Sequence, residues 1–380
     1  MHYKCGNYLK VNQLLAGFLT LIICLTSSCK KESGSSAPPD ISVNGSLVTI
    51  VEDDPSESVS FNVVLSSSCN KTVSIDYRTA DSTAAAGKDY VAINSGKLEF
   101  KAGETSKQIS INIIQNAGQT EDSFFKVVFS NPVNGILKAK GIAVKIENVD
   151  YTKLTWSDEF SEGPLNTSTW NYELGANGWG NNELENYTNA IENVHIDSGY
   201  LHITALNPSG SSYTSGRITT KGKKEFTHCR VDIRAKMPEG KGIWPALWML
   251  GANFSSVGWP GCGEIDVLEL LGDSPSVAHG SIHWYANSHV SRTGEYTMYG
   301  GKFSQGFHIF SLVWTPNSLI WLVDNQQFLY FSKSEISGFP LDLPQFFIFN
   351  VAVGGNWPGN PDQTTVFPQN MIVDYIRVYQ

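Results

Sequence analysis

The chain has 380 residues, 41% of them hydrophobic, with 27 Lys and Arg against 36 Asp and Glu, a formal charge of −9. Scattered cations on this acidic background argue against a nucleic-acid partner. No G-x-S-x-G elbow, Walker loop, C-x-x-C pair or dinucleotide fingerprint occurs, which leaves serine-elbow, nucleotide and dithiol chemistry without a carrier.

Lys4 and Lys10 precede an almost wholly apolar run from Leu14 to Leu25, and Thr26-Ser27-Ser28 lead into Cys29. The run is short for a membrane span and ends where a signal peptide is cut. Small residues directly before Cys29 resemble the bacterial lipobox, with Thr26 where leucine is usual. That resemblance implies a lipoprotein signal peptide over 1–28 and a lipid on Cys29. The location implied is the bacterial cell envelope, at the outer membrane or cell surface, with secretion as the other outcome. Residues 29–40, rich in Ser, Lys and Pro, read as a flexible tether. Cys5 and Cys24 leave with the leader, so Cys69, Cys229 and Cys262 remain. Three thiols allow at most one bridge, and Cys229 with Cys262 is the pair to test.

Residues 41–150 carry short alternating or β-branched runs at Ser60 to Leu65, Thr72 to Tyr77, Lys97 to Phe100, Gln108 to Ile114 and Phe124 to Phe129. Turn residues separate them, the pattern of a β-sandwich of about 110 residues. Asp81 to Tyr90, Gly103-Glu104-Thr105-Ser106 and Ser130-Asn131-Pro132 are similar to the Calx-β domain. The resemblance implies an immunoglobulin-like sandwich whose acidic loops, here Glu52, Asp53, Asp54, Asp89, Glu121 and Asp122, hold Ca²⁺. No tryptophan occurs in this unit, so a spacer or adhesion role is favoured over glycan stacking.

Residues 151–380 suit one larger sandwich, with strand signals at Leu201 to Ala205, Arg230 to Met237, His308 to Trp314, Leu319 to Asp324 and Phe346 to Val353. The most informative stretch is Glu264-Ile265-Asp266-Val267-Leu268-Glu269, bounded by Gly263 and Gly272. Its aliphatic residues make it a strand, and side chains alternate along a strand, so Glu264 and Asp266 share a face. Glu269 joins them only if a β-bulge absorbs one residue. The two glutamates then stand roughly 13 Å apart at Cα, and their carboxyls can lean to about 5–6 Å, the separation for retaining glycoside hydrolysis. Asp266 between them helps keep Glu269 protonated and orients Glu264.

Tryptophans surround this strand. All ten lie between Trp156 and Trp357, and Trp244, Trp248 and Trp259 are the candidates to stack on sugar rings. Six motifs occur in order: Trp156-Ser157-Asp158-Glu159-Phe160, Gly178 to Leu184, Ser215 to Gly222, Gly242 to Leu250 followed by the acidic strand, Val351 to Gly359, and Val373 to Tyr379. Over residues 154–380 they resemble glycoside hydrolase family 16, in its laminarinase-like endo-β-1,3-glucanase form. The resemblance implies a concanavalin-like jelly roll with Glu264 as nucleophile, Asp266 as its helper and Glu269 as acid/base. It further implies a glycan cleft lined by Asn182, Arg217, Trp244, Trp248, Trp259 and His283. No cofactor is needed for the chemistry, but a structural Ca²⁺ is implied at Glu159, Gly199 and Asp374. Two positions depart from the pattern: Glu185 stands where glutamine is usual, and His228-Cys229 replaces an aromatic-Gly pair.

His283 and His279 form an i, i+4 pair, but no H-E-x-x-H or third ligand accompanies them. His283, beside the acids, is expected to hydrogen-bond the departing sugar or Glu269. The expectation is a monomeric, surface-anchored endo-β-1,3-glucanase acting on β-glucan polysaccharide. Mixed-linkage β-glucan or a marine galactan are the alternative substrates. A non-catalytic glycan-binding lipoprotein is the rival of another class, and the three like charges on one face argue against it.

Overall fold

The computed structural model describes residues 37–52, 58–116, 121–149, 151–210 and 212–380. The leader, Cys29, most of the tether, and Asp53 and Asp54 lie outside the described residues. Strands make nearly all of the described regular structure, the helical pieces being the single turns Gly178–Gly180 and Phe254–Val257. The all-β expectation holds.

In the first sandwich the sheet order is Leu47–Val51, Gly141–Glu147, Ser123–Val133, Val73–Asp81 and Gly96–Phe100. Ser58–Leu65, paired with Asp40–Val43 and Ser106–Asn112, supplies the second layer. Along Ser123–Val133, residues Ser123, Phe125, Val127 and Phe129 turn inward at every second position, as a half-buried strand requires. Of the acids marked for Ca²⁺, Glu52, Asp89 and Asp122 are engaged elsewhere. Glu52 accepts the Asn116 amide at 2.7 Å and Asp89 accepts Asn116 Nδ2 at 2.9 Å, while Asp122 pairs with Lys145 at 2.8 Å.

The larger sandwich has two sheets. Its back sheet runs Val194–Asp197, Tyr200–Ala205, Gln369–Tyr379, Cys229–Lys236, His308–Trp314, Ser318–Val323 and Gln326–Ser332. The cleft sheet runs Asn171–Tyr172, Arg217–Thr219, Gln345–Val353, Ile243–Gly251, Glu264–Glu269, Val277–Tyr285 and His289–Thr297. Gln345–Val353 is buried at all nine positions. Phe347, Phe349, Val351 and Val353 enter the core between the sheets, whereas Phe346, Ile348, Asn350 and Ala352 floor a cleft on the other face. A strand covered on both faces reads as a continuous apolar run, which is the appearance of Gln-Phe-Phe-Ile-Phe-Asn-Val-Ala-Val.

The two sandwiches have separate cores, yet they meet. Val51 and Tyr151 pack with Val313 and Ile320 of the back sheet. The Glu147 carboxylate, 1% exposed, accepts Thr315 Oγ1 at 2.6 Å and Ser318 Oγ at 3.0 Å, and Lys145 neutralises it at 3.2 Å. Tyr151 donates its hydroxyl to the Trp314 carbonyl at 2.6 Å. At one point the sheets join, Gln326 pairing in parallel with Ser60. Paired, fully hydrogen-bonded charge is the form in which a buried carboxylate is tolerated.

Candidate active site

The acidic strand carries the bulge that parity requires. Against Val277–Tyr285 its register runs Glu264 to His283, Ile265 to Ile282 and Asp266 to Ser281, then jumps to Glu269 opposite His279. Against Ile243–Gly251 the shift falls between Leu247 and Trp248. Val267 and Leu268 both enter the core, and that double inward step turns Glu269 back to the cleft beside Glu264 and Asp266. Behind the bulge, Trp321 of the back sheet donates its indole N–H to the Asp266 carbonyl at 2.8 Å. Gly280 makes room for that ring, because a Cβ there would lie 2.6 Å from Trp321 Cδ1.

Each glutamate is held by its own tryptophan. Trp259 Nε1 donates to Glu264 Oε2 at 3.0 Å, and Trp244 Nε1 donates to Glu269 Oε1 at 3.1 Å. Ser281 Oγ lies between the acids, bonded to Asp266 and 3.3 Å from Glu269 Oε2. His283 Nε2 is 3.5 Å from Asp266 and 3.9 Å from Glu264, and its Nδ1 shares a proton with His289 Nε2 at 2.9 Å. Burial and the neighbouring His289 push His283 down to about 4, so it is neutral at ordinary pH. Among the described residues Glu264, Asp266 and His283 are the one set of three placed like metal ligands.

Burial, then mutual repulsion, raises the acids. Glu264 goes to about 8, opposed by the Trp259 hydrogen bond and the Arg217 charge. Burial takes Glu269 to about 7, and burial with both glutamate charges holds Asp266 well above the carboxylate range. Three carboxyls this close do not all ionise together, so the cluster keeps protons into the neutral range.

The cleft above them has a volume of about 690 Å³. Arg217 spans its wall, its guanidinium 4.7 Å from the Trp179 ring and 4.9 Å from the Trp248 ring, with Glu173 accepting from Nε at 2.5 Å. Trp248 in turn donates to Asn350 Oδ1 at 2.8 Å. Trp357 packs edge-on against Trp244 at 5.5 Å, and Trp259, 47% exposed, lies 4.7 Å from the His289 ring. Thus Arg217, Trp244, Trp248, Trp259 and His283 all line the cleft.

Asn182 does not. Its backbone is left-handed at φ 57, and its amide donates to Asn356 Oδ1 at 2.9 Å; Asn181 and Glu183 line the cavity instead. Glu159 is locked in a two-pronged pair with Arg377 at 3.0 and 2.8 Å, and Asp374 pairs with Arg234. The one carboxylate expected at the calcium corner, that of Asp374, is thus engaged by Arg234, whereas Glu159 and Gly199, the latter in a left-handed turn at φ +81, are expected there through their backbone oxygens; a cation there has to displace Arg234. Cys229 and Cys262 are both buried free thiols, so the tested bridge is not formed. Trp179, Trp357, Trp321 and His289 were absent from the expected site. The first two lay in recognised motifs, while nothing in the local sequence marks the others.

Residues 180–377 match the model of glycosyl hydrolases family 16. The chain belongs to that family. Residues 37–150 of this family 16 enzyme match the Calx-beta domain. A β-glucanase of Rhodothermus marinus is 38% identical over 253 residues, 62% of this chain and 87% of its own. A glucan endo-1,3-β-glucosidase of Cryptopygus antarcticus is 38% identical over 251 residues, 59% of this chain and 90% of its own. The laminarinase catalytic domain of Thermotoga maritima superimposes with a TM-score of 0.55 at 44% identity, over 60% of this chain and 98% of that one. The family 16 enzyme is thus a glycoside hydrolase with a jelly-roll catalytic sandwich, and the family's glucanases need no cofactor for the reaction.

Proposed function

We propose that the chain is an endo-acting β-1,3-glucan hydrolase that retains configuration, with Glu264 as nucleophile and Glu269 as acid/base. The observation that carries the roles is the bulge, which puts both glutamates on one cleft floor with an indole donor on each. In the first step Glu264 attacks the anomeric carbon while Glu269 protonates the departing oxygen; in the second, Glu269 takes a proton from water as that water breaks the glycosyl ester. Asp266, bonded to Ser281 and raised by burial and by both glutamates, lies on the same cleft floor between them.

Burial raises both glutamates above the usual carboxylate range, and turnover needs Glu264 ionised while Glu269 keeps its proton. Arg217 favours the ionised form of Glu264, and a glycosidic oxygen at Glu269 accepts its proton, so substrate supplies the remainder. The substrate reading draws on the named glucanase relatives and on a cleft walled by tryptophans.

Proton NMR of laminarin hydrolysis, run beside barley β-glucan, agarose and carrageenan, tests both parts. The β-anomer should be the first product, with laminarin preferred. An α-anomer first would remove Glu264 from its role; untouched laminarin beside a cleaved galactan would remove the substrate.

A lipid on Cys29, an envelope location, a monomeric state and a structural calcium at Glu159, Gly199 and Asp374 belong to the same proposal. The first two rest on the sequence of the leader, and the calcium must win Asp374 from Arg234. Cys29→Ala should move the protein from the membrane fraction to the soluble one with its specific activity unchanged, and equal membrane retention would remove the anchor.

A further inference from the structure

Glu185, which replaces the usual glutamine, is wholly buried. Its Oε2 accepts the Val353 amide at 2.6 Å, at the root of the turn that carries Trp357. Its Oε1 is shut away from solvent without a hydrogen-bond partner, and the acid that acts on it is a second carboxyl, that of Glu183. Two carboxyls bond to each other only when one carries a proton.

Glu183 faces the cleft, where Asn181 Nδ2 and the Tyr187 hydroxyl each donate to it at 3.2 Å. The Tyr187 hydroxyl accepts from Asn350 Nδ2 at 3.0 Å, and Asn350 Oδ1 holds the Trp248 indole. Trp179 meets the Tyr187 ring edge-on at 5.2 Å. A chain of hydrogen bonds therefore runs from Glu183, the acid next to the buried one, to the tryptophan wall.

We propose that Glu185 carries a proton on Oε1 and donates it to Glu183, and that this shared proton holds the strand end at Val353 and the wall of the cleft in their glycan-binding arrangement. Glu185 is a positioning residue, and its role rests on the glucanase reading of the cleft. Burial, and next the Glu183 charge, hold the proton on Glu185 up to about pH 8, against the pull of the Val353 amide. The other ionisable groups around the pair are Tyr187, kept neutral by burial and by both glutamates, Tyr213 opposite Glu185 in register, and Arg217 with its partner Glu173. No cation among these contacts Glu185. Once the proton leaves, two carboxylates face each other, one of them desolvated, and that arrangement does not hold.

A glutamine in this position would accept from Val353 and donate to Glu183 at every pH. With glutamate in its place the clamp opens in alkali.

The experiment compares the full chain with Glu185→Gln from pH 5 to 10, by laminarin kinetics and, without substrate, by tryptophan fluorescence. In the wild type KM should climb above pH 8, by up to about tenfold per pH unit for one proton, with a fluorescence transition at the same pH. Glu185→Gln should keep a flat KM, lose that transition and match the wild-type kcat profile, whose alkaline fall belongs to Glu269. Glu185→Ala, which frees the Val353 amide, should raise KM at every pH. Superimposable KM and fluorescence profiles for wild type and Glu185→Gln would overturn the proposal, as would a Glu185→Gln protein unfolded by circular dichroism, since the amide mimics the protonated acid. If laminarin is not cleaved by either protein the substrate reading fails, and the fluorescence titration still decides the shared proton.

Discussion

Trp321→Phe separates the support of the bulge from the chemistry it presents. The indole N–H lies 2.8 Å from the Asp266 carbonyl, in a ring with no exposure. Phenylalanine keeps the aromatic packing and removes the donor. Leaving a buried carbonyl short of its partner costs about 1–3 kcal/mol, and the vacated edge of the indole adds about 1 kcal/mol. A carbonyl that turns to seek another donor also moves the bulge, and a shift of about 1 Å in a reacting group costs on the order of a hundredfold in rate. Trp314→Phe is the matched control. That indole is equally buried and donates to the Leu341 carbonyl at 2.9 Å, away from the acids. Urea unfolding and laminarin kcat should show both variants destabilised by about 2–4 kcal/mol at unchanged m, with kcat falling steeply only in Trp321→Phe. If Trp321→Phe lost stability but kept kcat, the bulge would not depend on that hydrogen bond for its position.

Glu264→Gln should be inactive yet gain stability relative to wild type as pH rises. The folded value of Glu264 is raised from 4.5 to about 8, so its contribution is fully present below pH 4.5 and is lost on passing pH 8; the amide has no such loss, and the difference should grow by roughly 1–3 kcal/mol between pH 5 and 8. Parallel melting curves at both pH values would contradict this. Glu269→Ala should still attack aryl glycosides with good leaving groups and stall at deglycosylation, with azide restoring turnover at retained configuration; inverted azide product would sink the acid/base role. The 151–380 fragment should keep kcat, since the described cleft lies within it. Uncovering Val313 and Ile320 should cost about 3 kcal/mol and lower its Tm by about 6–12 °C. A fragment folded but inactive would show that the first sandwich shapes the site.

The site was legible where its determinants are local. Parity along Glu264 to Glu269 demanded a bulge, and the register contains one. What escaped depends on pairings distant in the chain. Trp321 reaches Asp266 across 55 residues and Glu147 meets Ser318 across 171, and no periodicity announces either. Asn182 was misplaced because a motif gives residue identity but not backbone hand; its positive φ swings the side chain to Asn356 and leaves Asn181 facing the cleft. At the expected calcium corner nothing in the sequence signals that Arg234, from the neighbouring strand, pairs with the Asp374 carboxylate. The separate cores of the two sandwiches followed from composition and turn spacing, but the contact between them did not.

From Phe346 to Val353 this strand has no idle position, because each residue either fills the core or floors the cleft. Evolutionary change there is doubly constrained. A substitution at Phe347 or Phe349 disturbs packing between the sheets, and one at Phe346 or Ile348 alters the surface under the glycan. New substrate preferences have to be written elsewhere, in the segments around Ser256 and Asn287 that border the cleft sheet without being woven into it. A lineage built on this strand can diversify its menu quickly while its catalytic floor stays nearly still.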